Sequence, residues 1–189
     1  MTDQTQPQGT TRRNPVPGLR GIEHFGISVP DLEAATEFFV NVLGCEAYFD
    51  SGPIQSDEDD RMTRLVNVHP RAVIHRMRHL RCGHGSNIEL FEYTAPDQKT
   101  ELPRNSDIGG HHFAFYSDDF DATLDWLRQN HVQLLEGPNF VEKGPNSGCR
   151  WIYFLTPWGM QMELVSFPNG RAYEAETTGR LWNPMTPEA

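Results

Sequence analysis

Two histidines and two glutamates stand at equivalent places in the two halves of this 189-residue chain. His24 begins HFGISVPDLEAATEFF, and His112 begins the similar HFAFYSDDFDATLDWL. Glu89 and Glu163 follow later in each half, inside IELFEY and MELVSF. Imidazole nitrogens and carboxylate oxygens suit divalent ions such as Zn²⁺, Ni²⁺, Co²⁺, Mn²⁺ or Fe²⁺. The four residues therefore predict a site for one divalent metal ion, with coordination positions left open.

Each of the four residues lies in a stretch where apolar and polar residues alternate, as in a half-buried strand. Gly26 falls on the same face as His24, and Ala114 on the same face as His112, so space is left beside each imidazole. A glutamate flanked by apolar residues needs a partner, because an unpaired buried charge is very costly. A metal ion would satisfy both carboxylates at once.

The repeat also predicts the elements that position these residues. Each half reads as a strand, a helix and about three further strands, with Asp31 as a helix cap and Gly44 as a helix stop in the first half. The stretch RLVNVHP, residues 64–70, is predicted to be one of the strands. An internal repeat of this kind predicts two copies of one βαβββ unit, and hence an α+β fold.

Composition divides the chain into five segments. The N-terminal segment is rich in Pro, Gly, Thr and Gln, which predicts a flexible arm, and a polar, proline-bearing stretch between the halves predicts a linker. We expect an arm at 1–18, a first module at 19–95, a linker at 96–107, a second module at 108–167 and a tail at 168–189.

The charge of the chain limits its partners. The net charge is -10, with 26 acidic and 16 basic residues, which is against a nucleic-acid surface because binding to phosphates needs a clustered positive field. One basic stretch runs over residues 69–81 and contains four arginines. It is either the polar face of a strand or a wall facing an anionic substrate.

The cysteines and the hydropathy predict a cytoplasmic protein. Cys45, Cys82 and Cys149 are far apart and form no CxxC motif, so we expect neither a disulfide framework nor a cysteine-rich zinc site. The sequence has no apolar leader and no window long enough to span a membrane. We therefore expect no membrane partner.

Four stretches together resemble the vicinal oxygen chelate superfamily, which includes glyoxalase I, methylmalonyl-CoA epimerase, extradiol dioxygenases and the fosfomycin and bleomycin resistance proteins. The resemblance implies two tandem βαβββ modules that form a cupped, partly closed mixed β-sheet around one metal site, in a protein that forms a homodimer. The matching stretches cover most of residues 21–167 and are IEHFGISVPDLEAATEFFVNVLGCE, NIELFEY, GGHHFAF and PWGMQMELVSF.

The resemblance also implies roles for individual residues. His24, Glu89, His112 and Glu163 match the four metal ligands of glyoxalase I. His112 rather than His111 is in register with His24, because Phe follows each, so His111 is expected to pack behind the site. The epimerase resembles the chain in its GGHH start but has Gln where Glu89 stands, and the long stretch over residues 52–74 departs from compact glyoxalase I proteins.

The leading functional hypothesis is a metal-dependent lyase or isomerase of the glyoxalase I or epimerase type. It would bind two neighbouring oxygens of a small, oxygen-rich carbonyl substrate and stabilise the enediolate that forms when a proton is abstracted. Glu163 is the favoured catalytic base on the strength of the resemblance, and Glu89 is the other candidate. Possible substrate-side groups are His75, His79, His84, Arg64 and Arg81.

Two alternatives belong to other functional classes. An Fe²⁺ or Mn²⁺ extradiol-type dioxygenase would use His24, His112 and Glu163 and would consume oxygen. A metal-free binding protein of the bleomycin-resistance type would hold a ligand between aromatic walls, but it would have no use for four ligating side chains.

Overall fold

The computed structural model describes residues 16–187 of the chain. Most of the predicted N-terminal arm, residues 1–15, and the last two residues of the predicted tail lie outside this part. Within the described part, none of the helices is long and apolar enough to cross a membrane.

The first half of the chain folds into a four-stranded mixed sheet. The strand order is β1-β4-β3-β2, in which β1 and β4 are parallel and the other neighbours are antiparallel. The elements are β1 (His24–Val29), α1 (Leu32–Glu37), β2 (Glu46–Ser51), α2 (Arg61–Val66), β3 (Val73–Arg81) and β4 (Asn87–Thr94).

The second half repeats this plan in a five-stranded mixed sheet. The strand order is β5-β9-β8-β6, and β7 also pairs with β8. The elements are β5 (Phe113–Tyr116), α3 (Phe120–Gln129), β6 (Gln133–Leu134), β7 (Asn139–Phe140), β8 (Arg150–Leu155), β9 (Gln161–Ser166) and α4 (Tyr173–Glu176). Together the two sheets confirm the predicted α+β fold of two βαβββ units, and no strand pairing joins them within residues 16–187.

The two main helices begin in the same way. Asp31 caps α1 by accepting a hydrogen bond from the Ala34 amide at 2.9 Å, and Asp119 caps α3 by accepting one from the Ala122 amide at 3.0 Å. Helix α1 continues as a π-helical segment, Phe38–Val42, and the chain then turns at Gly44, whose φ of 72° favours glycine. The predicted cap and stop of α1 are both confirmed.

One hydrophobic core serves both sheets. Leu32 and Phe39 of the first half and Leu127 and Met162 of the second are almost completely buried in the same cluster. The indole N–H of Trp126 donates a 2.9 Å hydrogen bond to a backbone carbonyl of the first half, that of Val42. The halves therefore pack as one body, and α1 and α3 contribute buried residues to its core.

Two predictions of local structure are wrong. The stretch 64–70 is not a strand: its first residues lie in α2, where Asp59 accepts a hydrogen bond from the Arg61 amide and Met62 is buried. Cys45 and Cys82 form a disulfide, with Cα atoms 4.3 Å apart. Cys45 is the neighbour of Glu46 and Cys82 the neighbour of Arg81, and these two residues pair at the end of the β2–β3 ladder. The strand pairing therefore brings together two thiols that are distant in sequence.

The basic stretch is largely accounted for by pairing within the fold. Arg78 lies 2.7 Å from Asp50 of β2 and 2.9 Å from Glu33 of α1, and Arg76 lies 2.7 Å from Glu33. The hydrogen bonds from Arg78 lower the pKa of Asp50. These two arginines tie α1, β2 and β3 together, which supports the structural interpretation of this stretch.

Candidate active site

The first half of the candidate site is a His24–Glu89 couple on neighbouring strands. The parallel pairing of β1 and β4 sets Glu89 beside Gly26, two residues from His24. Nε2 of His24 lies 3.3 Å from Oε2 of Glu89, whose side chain is only 15% exposed. Nδ1 of His24 donates to the carboxylate of Glu23 at 2.6 Å, and this hydrogen bond raises the pKa of His24.

Packing on this face leaves little room for a side chain at Gly26. A Cβ atom at Gly26 would lie 3.1 Å from the ring of Phe91, which is tighter than an ordinary van der Waals contact. The sequence predicted open space beside His24, and the structure shows that the Phe91 ring occupies part of it.

The second half of the site is the equivalent His112–Glu163 couple. Glu163 lies in β9 opposite Ala114 of β5, and its Oε2 is 3.1 Å from Nε2 of His112. Nδ1 of His112 lies 3.2 Å from the side-chain oxygen of Asn105. Tyr153 of β8 lies opposite Glu163 and sets its ring edge-on to the imidazole, with centroids 5.1 Å apart.

Burial sets the electrostatics of this second couple. The side chain of Glu163 is 16% exposed, and burial raises its pKa, while the interaction with His112 partly opposes that rise. Burial, together with the nearby carboxylate, also raises the pKa of Tyr153. Glu163 is therefore a carboxylate whose environment makes it a better proton acceptor than an exposed glutamate.

The loop before β5 fixes the position of His112. A Cβ atom at Gly110 would overlap the backbone carbonyl of Arg104, so only glycine fits there. The Arg104 amide donates to the carboxylate of Asp107 at 2.7 Å, which closes the loop that carries Asn105. His111 points elsewhere: its Nδ1 lies 3.0 Å from the Gly109 carbonyl, and its ring packs edge-on against Phe113.

The structure places the four predicted residues in two separate couples, one at each sheet, with His112 standing just before β5 rather than in a strand. In each couple Nε2 of the histidine faces the glutamate and Nδ1 is held by another side chain, an arrangement typical of metal-ligating histidines. The donor types fit a divalent metal ion. Across residues 16–187, however, no group of three or more His, Cys, Asp or Glu side chains is placed so that it could hold one ion.

Of the possible substrate-side residues, only His79 contacts a predicted ligand. Its Nε2 lies 2.7 Å from Oε1 of Glu89, because His79 lies opposite Glu89 in the β3–β4 pairing. The strand pattern gave no indication of this contact, since it depends on the register of β3. The others bind elsewhere: His75 to Thr94, Arg64 to Asp59 and Asp60, and Arg81 to the Gly83 carbonyl, while His84 lies in the turn after β3.

Two cavities lie near these sheets. A mainly apolar cavity of about 860 Å³ lies between the halves and the C-terminal segment, and none of the four predicted ligands lines it. A second, of about 590 Å³, is lined by Ser28 and Tyr93, which continue the strand faces of His24 and Glu89, and by the loop after α2. The segment that departs from compact glyoxalase I proteins therefore lines a cavity farther along the two strands that carry His24 and Glu89, neither of which lines it.

Comparison with family models assigns the chain to a protein superfamily. The model of the Glyoxalase/Bleomycin resistance protein/Dioxygenase superfamily matches residues 23–153. The chain belongs to this superfamily. The match confirms the resemblance to the vicinal oxygen chelate proteins, and it spans His24, Glu89 and His112 but ends before Glu163.

Two relatives found by sequence similarity are named as epimerases. A 2-epi-5-epi-valiolone epimerase from an Actinomyces species is 45% identical over 170 residues, which cover 89% of this chain and 91% of the relative. An ethylmalonyl-CoA/methylmalonyl-CoA epimerase from Cereibacter sphaeroides is 31% identical over 114 residues, which cover 60% of this chain and 73% of the relative. Both names indicate an enzyme of the isomerase type within the superfamily.

Solved structures of the superfamily share the fold at low identity. A glyoxalase family protein from Bacillus cereus has a TM-score of 0.60 at 16% identity, covering 83% of this chain and 98% of its own. The trypanothione-dependent glyoxalase I of Leishmania major has a TM-score of 0.54 at 17% identity, covering 84% and 94%. Because superfamily members with one fold differ in their reactions, these similarities show the architecture alone.

Proposed function

We propose that this chain is a metal-dependent epimerase that inverts a carbon atom next to a carbonyl group, acting on 2-epi-5-epi-valiolone or a related hydroxylated ketone. The observation that carries the proposal is the similarity to the Actinomyces epimerase, which leaves out only about a tenth of this chain and so necessarily spans both His–Glu couples. The geometry agrees with it, because each sheet contributes one largely buried carboxylate beside an imidazole.

An epimerase must remove a proton from one face of a carbon atom and return a proton to the other. Glu163 accepts the proton, and the electron pair of the broken C–H bond moves toward the carbonyl, leaving negative charge on the oxygen. Glu89, on the other sheet, is the group that exchanges a proton at the opposite face. Two carboxylates from two sheets suit this reaction better than one carboxylate would.

His24, Glu89, His112 and Glu163 are the residues that would hold one divalent metal ion, and the two couples would have to close toward each other to do so. When bound, the ion would stabilise the negative charge on the substrate oxygens. The two imidazoles are oriented for this role by Glu23 and Asn105. The hydroxyl groups of the substrate would be accommodated farther along the strands of the first couple, where Ser28, Tyr93 and Asn67 line a cavity of about 590 Å³.

Hydrogen exchange tests the proposal directly. The protein is incubated with 2-epi-5-epi-valiolone in D₂O with Zn²⁺, Ni²⁺, Co²⁺, Mn²⁺ or Fe²⁺ in turn, and NMR follows both deuterium incorporation next to the carbonyl and the appearance of the epimer. We expect both with at least one of these metals. Glu163→Gln should lower the rate about 10²- to 10⁴-fold, the usual contribution of a positioned acid–base group. The matched control is Glu142→Gln, in an exposed loop.

Metal content is measured beside the exchange experiment. Protein purified without added metal should carry about one equivalent of a divalent metal by elemental mass spectrometry, and His112→Ala should lose it. The proposal would be contradicted if the protein showed no epimerisation and no deuterium exchange with any of the metals. Oxygen uptake with a catechol would point instead to the dioxygenase alternative.

A further inference from the structure

His79 contacts the candidate site without belonging to either couple. Its Nε2 lies 2.7 Å from Oε1 of Glu89, whereas His24 approaches the other carboxylate oxygen, Oε2, at 3.3 Å. The two oxygens of Glu89 therefore have different partners. A carboxylate held at one oxygen has its second oxygen presented in a fixed direction.

The pairing of β2 with β3 places an aromatic ring against His79. A bulge in β2 lies between Ala47 and Phe49, so that Phe49 rather than Tyr48 stands opposite His79. The Phe49 ring stacks on the imidazole, with centroids 4.1 Å apart and an interplanar angle of 20°. The ring of His79 is thus fixed from one side by an aromatic face and at its end by Glu89.

The polar atoms of His79 are used unequally. Nδ1 is buried and has no hydrogen-bond partner among residues 16–187, and the side chain is 22% exposed. Because a buried polar atom is normally satisfied, an orphaned one calls for an explanation. A proton on Nε2, the nitrogen nearer the carboxylate, would leave Nδ1 as a bare acceptor, which costs less than a buried N–H group without an acceptor would.

We propose that His79 is a positioning residue: its Nε2 holds Oε1 of Glu89, so that Oε2, which faces His24, is the oxygen presented to a divalent metal ion. This inference rests on the proposed function, since it assumes that Glu89 binds the metal. It assigns His79 an indirect role, in which the imidazole orients a ligand and does not touch the ion.

The test uses Co²⁺ alone as the probe, measuring its dissociation constant by calorimetry and its visible d–d absorption spectrum. His79→Phe keeps a ring against Phe49 but removes the donor, and we expect Co²⁺ affinity to fall about 10- to 100-fold, as when a supporting partner of a ligand is lost. His79→Gln places an amide N–H close to the position of Nε2 and should restore most of the affinity and the wild-type spectrum. Thermal unfolding confirms that both variants are folded.

The outcomes separate this inference from the proposed function. Wild-type affinity and spectrum in His79→Phe would overturn the positioning role, even if the protein is an epimerase. A changed spectrum in His79→Gln, without recovery of affinity, would indicate that His79 itself ligates the ion and would also overturn it. If the wild-type protein binds no Co²⁺, the proposed metal dependence fails, and the inference fails with it.

Discussion

In both couples the histidine ring is held from behind. His24 uses Nδ1 to contact Glu23, and His112 uses Nδ1 to contact Asn105, so that Nε2 faces the glutamate in each case. The two outer partners differ in charge. A carboxylate makes the His24 ring more basic, whereas an amide orients the His112 ring without adding a negative charge.

The position of His112 depends on Gly110, two residues before it. Gly110→Ala would place a methyl group on the Arg104 carbonyl, so the loop that carries Asn105 must move. We expect the free energy of unfolding to fall by about 1–3 kcal/mol, as in other overpacked sites, and epimerisation to fall with it. Urea denaturation measures the first and the D₂O assay the second.

Gly179→Ala is the matched control for this substitution, since a Cβ atom there meets nothing within 4 Å. Its stability should stay within about 0.5 kcal/mol of the wild-type value. If the two variants were equally stable and equally active, Gly110 would not be needed for the geometry of the loop.

The elements show what the sequence could predict and what it could not. The cap at Asp31 was predictable, and the structure shows its counterpart at Asp119, because a helix cap depends on residues within one turn. Helix α2 was mistaken for a strand, because its short stretch has too few residues to show a helical period. The His79–Glu89 contact and the β2 bulge depend on register between strands, which local patterns do not specify.

The Cys45–Cys82 disulfide is also a consequence of register, and it can be tested by counting thiols. Under denaturing conditions, unreduced protein should titrate one thiol, that of Cys149, and reduced protein should titrate three. Because the bond closes a loop with a sequence separation of 37, reduction should cost up to about 4 kcal/mol of stability on the loop-entropy estimate.

The variant Cys149→Ala separates the thiols in this experiment. It should titrate no thiol before reduction and two afterwards. Three thiols in the unreduced wild-type protein would show that Cys45 and Cys82 are not bonded, and a melting temperature unaffected by reductant would argue against any stabilising role.

At the scale of the whole molecule, the two sheets depend on each other through a shared core. Phe38, at the start of the π-helical segment, is buried and packs edge-on against Trp158 of the second half, with centroids 6.1 Å apart. Phe25 and Phe113, from the first strands of the two sheets, are 4.9 Å apart. Loss of packing in one half should therefore lower the stability of the other half as well.

Phe38→Ala tests this dependence. We expect a loss of about 3–5 kcal/mol, the usual cost of truncating a buried Phe, in a single transition seen equally by tryptophan fluorescence and far-UV circular dichroism. Phe140→Ala is the control, because Phe140 is 59% exposed. Two separate transitions in the wild-type protein would show that the halves unfold independently.

The arrangement of one His–Glu couple at each sheet affects how the two halves of the chain can diverge in evolution. If the repeat arose by duplication of one ancestral segment, each copy passed on its own imidazole and its own carboxylate. A substitution in one copy leaves the other couple intact, so the two carboxylates are free to specialise one at a time. His79 beside Glu89 and Tyr153 beside Glu163 are the kind of difference that such separate histories leave behind.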